Sequence, residues 1–406
     1  RRLPDRLSPP VLRTAMRARI IHPRLQAQRH GHVLVPNCRI PAELTRVGIE
    51  HLVLERGHTI AHTWENLYDS LVLHTGKHMS ALPGMRFPGA TPLFPSRAQF
   101  VGYLRDYTRR FALPVQTGTE VTSASREGDW WALRTTRGVV HAQVLVWATG
   151  IVASPRVPEV PGRERFGGRV IHSVDYRRPE GFAGRRVLVV GVGNSGGEIG
   201  SELARRGAVV TVAVRSGANV VPLTLAGVPI QYLSFLVRRL PRAAQEVVVK
   251  GMALLARVRR GAPVLPRPAH SPLDAIPLIG FHLVDAIREG LVAVKPGVDS
   301  FTATGVRFTD GSEREFDDVI LATGFTAALE PLRGLVQLDA RGFARRRDRV
   351  VSEDQPDLYL VGHNYDSTGG LHNIRRDSRL VAERLAGDSR LSRRSGTALS
   401  ARVAAG

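Results

Sequence analysis

Short apolar runs closed by glycine or a polar turn recur along the chain, which is how buried strands read in a sequence. Val187-Leu188-Val189-Val190 is one such run. It leads through Gly191-Val192-Gly193-Asn194-Ser195-Gly196 into a helix predicted to reach Leu203; after Gly207 a second strand is predicted from Val209 to Val214. Two other segments share a common plan. Residues 120–150 read as short β segments with turns at Gly128 and Gly138, closing on Val144-Leu145-Val146-Trp147 and then Ala148-Thr149-Gly150. Residues 294–324 close on Asp318-Val319-Ile320-Leu321 and then Ala322-Thr323-Gly324. Near the end, 357–363 reads as a strand carrying Gly362, and Gly369-Gly370-Leu371-His372-Asn373 opens a helix to about Leu385. The longest apolar stretch, 219–237, is broken by Pro222 and Pro229 and contains Gln231. It is expected to be buried or substrate-facing, with membrane contact at most peripheral.

The segment at 186–216 carries the clearest chemistry, a G-x-G-x-x-G between a strand and a helix inside a βαβ unit. Gly191 permits the tight turn, Gly193 lets backbone approach a pyrophosphate, and Gly196 lets helix and strand pack closely. The helix start then offers free N–H groups to the phosphates, and Asn194 and Ser195 belong to the same cradle. At the end of the second strand an acid would hold a ribose hydroxyl and an arginine would accept a 2′-phosphate. Arg215 and Ser216 stand there, which favours NADP over NAD. The two Ala-Thr-Gly termini, Ala148-Thr149-Gly150 and Ala322-Thr323-Gly324, are places where backbone comes close to a dinucleotide.

A second cradle is expected upstream. Gly48 and the strand after it match Gly207 and its strand, which puts Glu55, with Arg56 beside it, where an adenosine ribose would be held. Counting back 16 residues from Gly48 places the three glycines at 32, 34 and 37, where the chain has His32, Leu34 and Asn37. No glycine lies between His32 and Val47, and Pro36 and Pro41 are expected to interrupt the helix.

Composition narrows the classes. The 406 residues, 43% hydrophobic and 23% charged, suit two or three globular domains rather than a disordered or fibrous chain. The net charge is +21 from 57 basic residues, of which only Lys77, Lys250 and Lys295 are lysines. Arginine is spread along the whole length and aromatics are only 6%, so nucleic acid is not expected as a partner. Residues 1–40 hold nine arginines against one acid, Asp5. Cys38 is the only cysteine, which excludes disulfide scaffolds, cysteine-based zinc sites and a CxxC redox centre; no metal site is expected, and a reducing cytoplasm fits. Residues 1–30 have no signal-peptide pattern.

From about Ala42 to Gly387 the sequence resembles the class B flavin-dependent monooxygenases, in particular flavin-containing monooxygenases and their YUCCA-type and bacterial relatives. Beyond the Gly191 fingerprint and the two Ala-Thr-Gly strands, Phe166-Gly167-Gly168-Arg169-Val170-Ile171-His172-Ser173 matches the family's F-x-G-x-x-x-H signature, which brings in His172. The blocks 68–75 and Phe94-Pro95-Ser96 also resemble bacterial and YUCCA-type members. Three departures accompany the match. The glycines of the FAD fingerprint are missing; Ala61-His62-Thr63-Trp64 keeps only the tryptophan of a Gly-Gly-x-Trp turn; and His74 stands where many members place asparagine, as in the YUCCA-like branch.

The resemblance implies an α/β fold of two Rossmann-like dinucleotide-binding domains, the NADP domain inserted in the FAD domain. The expected division is a non-matching basic segment at 1–41, FAD domain at 42–153 and 297–387, NADP domain with a substrate-channel insert (219–271) at 154–296, and a disordered tail at 388–406. It further implies that NADPH reduces FAD, that oxygen adds at flavin C4a, and that the hydroperoxide passes one oxygen atom of O2 to a small organic substrate. His74 is the candidate beside the flavin ring, with Trp64, Gly362 and Leu371 as further contacts. The alternative is a non-catalytic remnant that binds NADP and has lost FAD, its first 41 residues arising from a different reading frame or a rearranged end.

Overall fold

The computed structural model describes residues 28–34, 39–150, 152–268, 271, 273, 276–364, 366 and 368–388. The first unit starts earlier than the sequence suggested. Strand β1 (Gln28–Leu34) is followed by helix α1 (Arg39–Arg46), β2 (Leu52–Leu54), α2 (Arg97–Arg110) and β3 (Val115–Gln116), then by a meander of β4 (Val121–Glu127), β5 (Trp130–Thr135) and β6 (Gly138–Trp147). β1 lies between β2 and β6 and pairs in parallel with both. The non-matching segment expected up to residue 41 is therefore corrected, because 28–34 and 39–41 belong to this unit. Residues 1–27 lie outside the described residues.

Pro41 does not interrupt the first helix. It is the third residue of α1, and the first-turn N–H groups of a helix have no intrahelical acceptor to lose. Ile40 and Leu44, one helical turn apart, are fully buried and pack with Val53, Val144, Val146 and Val381. α2 is held at its start by a capping box, in which Ser96 Oγ accepts from Gln99 N at 3.2 Å and Gln99 Oε1 accepts from Ser96 N at 2.9 Å. Its buried face, Phe100, Tyr103, Leu104 and Tyr107, follows the helical period.

The second unit is a five-stranded, all-parallel sheet. In chain order it contains β7 (Arg169–His172), β8 (Arg186–Val190), α3 (Asn194–Arg205), β9 (Val209–Ala213), α4 (Ile230–Val237), α5 (Arg242–Arg260), β10 (Leu278–Ile279), α6 (His282–Arg288), β11 (Val292–Lys295) and β12 (Asp318–Leu321). The sheet order is β11-β9-β8-β12-β7. The meander expected after Val294 is present as Val298–Phe301, Gly305–Phe308 and Glu313–Glu315.

The position of β12 corrects a domain boundary. Its residues are at most 3% exposed and pair on both edges, with β8 and β7, so Asp318–Leu321 belongs to the second unit and not to the returning half of the first. The return crossing expected near 294–298 lies instead at Phe325–Thr326, which pairs antiparallel with the outgoing crossing at Ser154–Pro155. Each unit thus owns one of the two Ala-Thr-Gly termini. β13 (Leu358–Leu360) then rejoins the first sheet parallel to β6, and α7 (Gly370–Ala386) packs against α1. Apart from Asp388, the tail expected at 388–406 lies outside the described residues.

Asp318 ties the second sheet together. It is fully buried, accepts from Arg169 Nε at 2.7 Å, and also accepts from Arg185 Nε, so β12 is fastened to β7 and to the entry of β8. The two arginines are 52% and 41% exposed and would regain water if the carboxylate were removed. Asp318→Ala is therefore expected to cost about 1–3 kcal/mol, the value of charged hydrogen bonds, rather than the larger penalty of a stranded buried charge. A shift of the urea midpoint at unchanged slope would measure it.

Candidate functional site

The site is built where α3 meets the ends of β8 and β12. A Cβ on Gly191, whose φ is +100°, would stand 2.6 Å from the Ala322 carbonyl oxygen, and one on Gly196 would stand 2.1 Å from that of Gly191. Both glycines are required by close backbone approach. Gly193 is different, since a Cβ there would meet nothing within 4 Å. Gly193 is also the N-cap of α3, with no side-chain cap, so the first-turn N–H groups face that open side. Asn194 fixes the insert: its Oδ1 accepts from Ile279 N at 2.8 Å and its Nδ2 donates to Pro277 O at 3.3 Å.

Strand register relates the two units residue by residue. Val190 pairs with Ala213 and Leu34 with Val53, so Arg215 and Glu55 occupy the same place, each two residues beyond the pair. The positions matching Gly191, Gly193 and Gly196 are then 35, 37 and 40, not 32, 34 and 37. His32 and Leu34 lie in β1; residues 35–38 are outside the described residues. The chain has Val35 and Asn37 at the first two positions, and at the third Ile40 is fully buried.

Glu55 is 8% exposed, accepts from Gly57 N at 2.7 Å through Oε1, and is pushed above the usual carboxylate range by burial. Arg56 is exposed, reaching Ala153 O at 3.4 Å, and Arg215 and Ser216 are exposed at the end of the second unit's strand.

Between the units lies a cavity of about 380 Å³. From the first unit it is lined by Glu55, Trp64, His74, the run Ala148, Thr149 and Gly150, and Leu371; from the second by Asn194, Ser195 and Glu198. Trp64 stands edge-on to Phe100, with ring centroids 4.6 Å apart. Glu198 bridges the units: one carboxylate oxygen contacts His74 Nε2 and the other accepts from Tyr68 OH at 2.5 Å. Burial and then the Glu198 charge hold the Tyr68 hydroxyl well above its usual range.

Other expected residues support this cavity from outside its wall. His172 is 5% exposed; one ring nitrogen meets Gly324 O at 3.1 Å and the other accepts from Val174 N at 3.2 Å, so it locks the end of β7 to the return crossing. Burial lowers its pKa. Thr323 Oγ1 donates to Arg156 O at 2.5 Å, and Gly362 packs close to Gly150. A second chamber of about 740 Å³ lies among α4, α5 and α6. Gln231, Pro277 and Ile279 line both spaces, and Gln231 is buried with its Oε1 lacking a hydrogen-bond partner among the described residues.

The flavin-binding monooxygenase-like family matches residues 58–337 of this sequence. The chain belongs to that family. Indole-3-pyruvate monooxygenase YUCCA1 of Oryza sativa subsp. japonica is 37% identical over 289 residues, covering 68% of this chain and 71% of that protein. YUCCA4 of the same plant is 33% identical over 365 residues, covering 83% and 82%. Among solved structures, the flavin-containing monooxygenase from Stenotrophomonas maltophilia has a TM-score of 0.70 at 24% identity, covering 88% of this chain and 98% of its own. Cyclohexanone monooxygenase from Rhodococcus sp. Phi1 bound to NADP+ has a TM-score of 0.68 at 18% identity, covering 89% and 86%. These likenesses show the α/β fold with its two Rossmann-like units.

The residues of this flavin-binding monooxygenase-like chain fit a flavin in part. A ring system suits the apolar walls of the 380 Å³ cavity, and Glu55 suits a ribose hydroxyl. The close approach that Gly196 gives in the second unit is not available at Ile40 in the first. Among the described residues no group of three or more His, Cys, Asp or Glu is placed to hold a metal. Sequence reasoning passed over Glu198, and it named Tyr68 and Gln231 only as parts of the 68–75 block and the 219–237 stretch, with no role of their own. Glu198 follows Asn194 by four residues and Ser195 by three, a spacing that puts it on the same helix face and could have flagged it.

The α3 geometry yields a paired test. Gly196→Ala is expected to lose about 1–3 kcal/mol by overpacking against the Gly191 carbonyl, whereas Gly193→Ala, facing open space, should stay within about 0.5 kcal/mol of the parent. Denaturant unfolding of the two variants decides it, and equal stabilities would count against the close packing.

Proposed function

We propose that this chain is an NADPH- and FAD-dependent monooxygenase that places one oxygen atom of O2 on a small apolar organic acid, an aromatic 2-oxo acid being the first candidate. The carrying observation is the shared cavity, walled by Asn194, Ser195 and Glu198 from one unit and by Trp64, His74, Gly150 and Leu371 from the other. Two cofactors bound at the two strand–helix crossings would meet there. The chain is similar to indole-3-pyruvate monooxygenases, and the adjoining chamber combines apolar walls with Arg238, Arg267 and Arg288, a lining suited to an apolar carboxylate.

In this reading the first turn of α3 receives the NADPH pyrophosphate, Arg215 with Ser216 the 2′-phosphate, and Glu55 the ribose of FAD, with Arg56 beside it. The flavin, when bound, supplies the redox and oxygen chemistry. The protein orients and shields. Glu198 holds the His74 ring by its Nε2 and accepts from the Tyr68 hydroxyl, and Trp64, Phe100 and Leu371 keep water from the cavity. His172 and Thr323 fix the crossings between the units, and a cytoplasmic setting is part of the same proposal.

Ile40 at the third glycine position favours a second reading, a remnant that binds NADP but not FAD. Purification with added FAD, then flavin absorbance after desalting and NADPH consumption in air, separates the two. Stoichiometric flavin with NADPH oxidation supports the enzyme; a colourless protein that still binds NADPH supports the remnant. Arg215→Ala is expected to weaken NADPH by about 10- to 100-fold, one charged contact, while leaving NADH nearly unchanged. Equal losses for both nucleotides would remove Arg215 from the site.

A further inference from the structure

Six of the twelve large apolar side chains exposed among the described residues lie between Leu236 and Val258. Four of them sit on α5: Val247 is 69% exposed, Leu254 63%, Leu255 44% and Val258 76%. Val247, Gly251, Leu254 and Val258 follow the spacing i, i+4, i+7, i+11 and form one stripe. No residue of this 19-residue helix is buried; Val249, Met252 and Ala256 on its other side line the 740 Å³ chamber, and the exposed Leu255, Arg257 and Arg259 border it as well. Leu236 and Leu240, 60% and 42% exposed, continue the apolar surface from the end of α4.

The charges around the stripe identify what can cover it. Residues 238–260 contain seven basic residues and one acid, Glu246. Arg238 pairs with Asp366, Arg242 with Glu246 and Arg260 with Asp285. Lys250 and Arg257, next to the stripe, and Arg259 form no ion pair among the described residues and are exposed. A second copy docking stripe to stripe would bring these cations against their own counterparts, on chains that each carry +21. An anionic lipid surface offers opposite charge and an apolar layer together. No helix among the described residues is long and apolar enough to cross a membrane, so α5 would lie in the interface rather than span it.

We propose that the outer face of α5, with the end of α4, docks on a bilayer containing anionic phospholipid, Val247, Leu254 and Val258 entering the headgroup boundary while Lys250 and Arg257 meet the phosphates. This goes beyond the reaction proposed above and does not depend on it.

The full chain is sedimented with vesicles of phosphatidylcholine alone and of phosphatidylcholine with phosphatidylglycerol. Binding is expected only to the anionic vesicles and should weaken as salt is raised. Leu254→Ser with Val258→Ser keeps the net charge and is expected to lower vesicle affinity about tenfold or more, as is Lys250→Glu with Arg257→Glu. Leu338→Ser, at an exposed apolar position of the other unit, should bind like the parent. Thermal unfolding of each variant checks that the fold is kept. Parent-like binding by the Leu254→Ser, Val258→Ser variant would overturn the proposal, because charge alone or another surface would then be responsible. A concentration-dependent dimer lost in that variant, without vesicle binding, would overturn it in favour of a second copy.

Discussion

The backbone contact among Gly191, Gly196 and Ala322 sets the geometry of everything around it. With no room for a Cβ at either glycine, α3 is pressed onto the ends of β8 and β12 and can start at only one height above the sheet. That height puts Asn194 in reach of Pro277 and Ile279, which secures the insert, and puts Glu198 one turn further on in reach of Tyr68 and His74 in the other unit. One packing constraint thus positions the start of α3, the segment that lines both chambers and the bridge between the units.

The second unit was legible because its signals are local. Strand, glycines, helix and strand follow one another within about thirty residues, and β8, α3 and β9 fall where the pattern put them. The first crossover was misread because the count assumed equal lengths. Gly191 and Gly207 are 16 residues apart, whereas position 35 and Gly48 are 13 apart, and α1 has eight residues against twelve in α3. Three residues of difference moved the first two expected glycines back into β1, at positions 32 and 34. The sequence could not have corrected this by itself, since the register comes from which strand pairs with which.

Long-range pairing explains the other differences. Both Ala-Thr-Gly strands follow a meander and look alike, and nothing in 318–324 says which sheet accepts it; the pairing with β7 and β8 does. His74 and Glu198 are separated by 124 residues, so His74 could be suspected from its neighbours while its partner could not. The insert shows the converse. Its apolar, proline-broken sequence was readable as a chamber wall, but that α5 is apolar on two opposed faces emerges only once Val249, Met252 and Ala256 are seen to line the chamber while Val247, Leu254 and Val258 are exposed.

The arginine excess takes on a different meaning when partners are counted. Arg169 and Arg185 converge on Asp318; Arg186 grips Glu315 and Asp317, holding the Asp317 carboxyl down at about 2; and Arg349 is fastened to the fully buried Asp377. These cations hold strand ends and helices together, and their charge is met locally. A net charge of +21 therefore does not act as a uniform field. What is left to act on another molecule is the charge without a local partner, and along 238–260 that charge borders the largest run of exposed apolar side chains described in the fold. Cations beside an uncovered apolar stripe attract a surface that is itself both anionic and apolar. Cations alone would have attracted any polyanion.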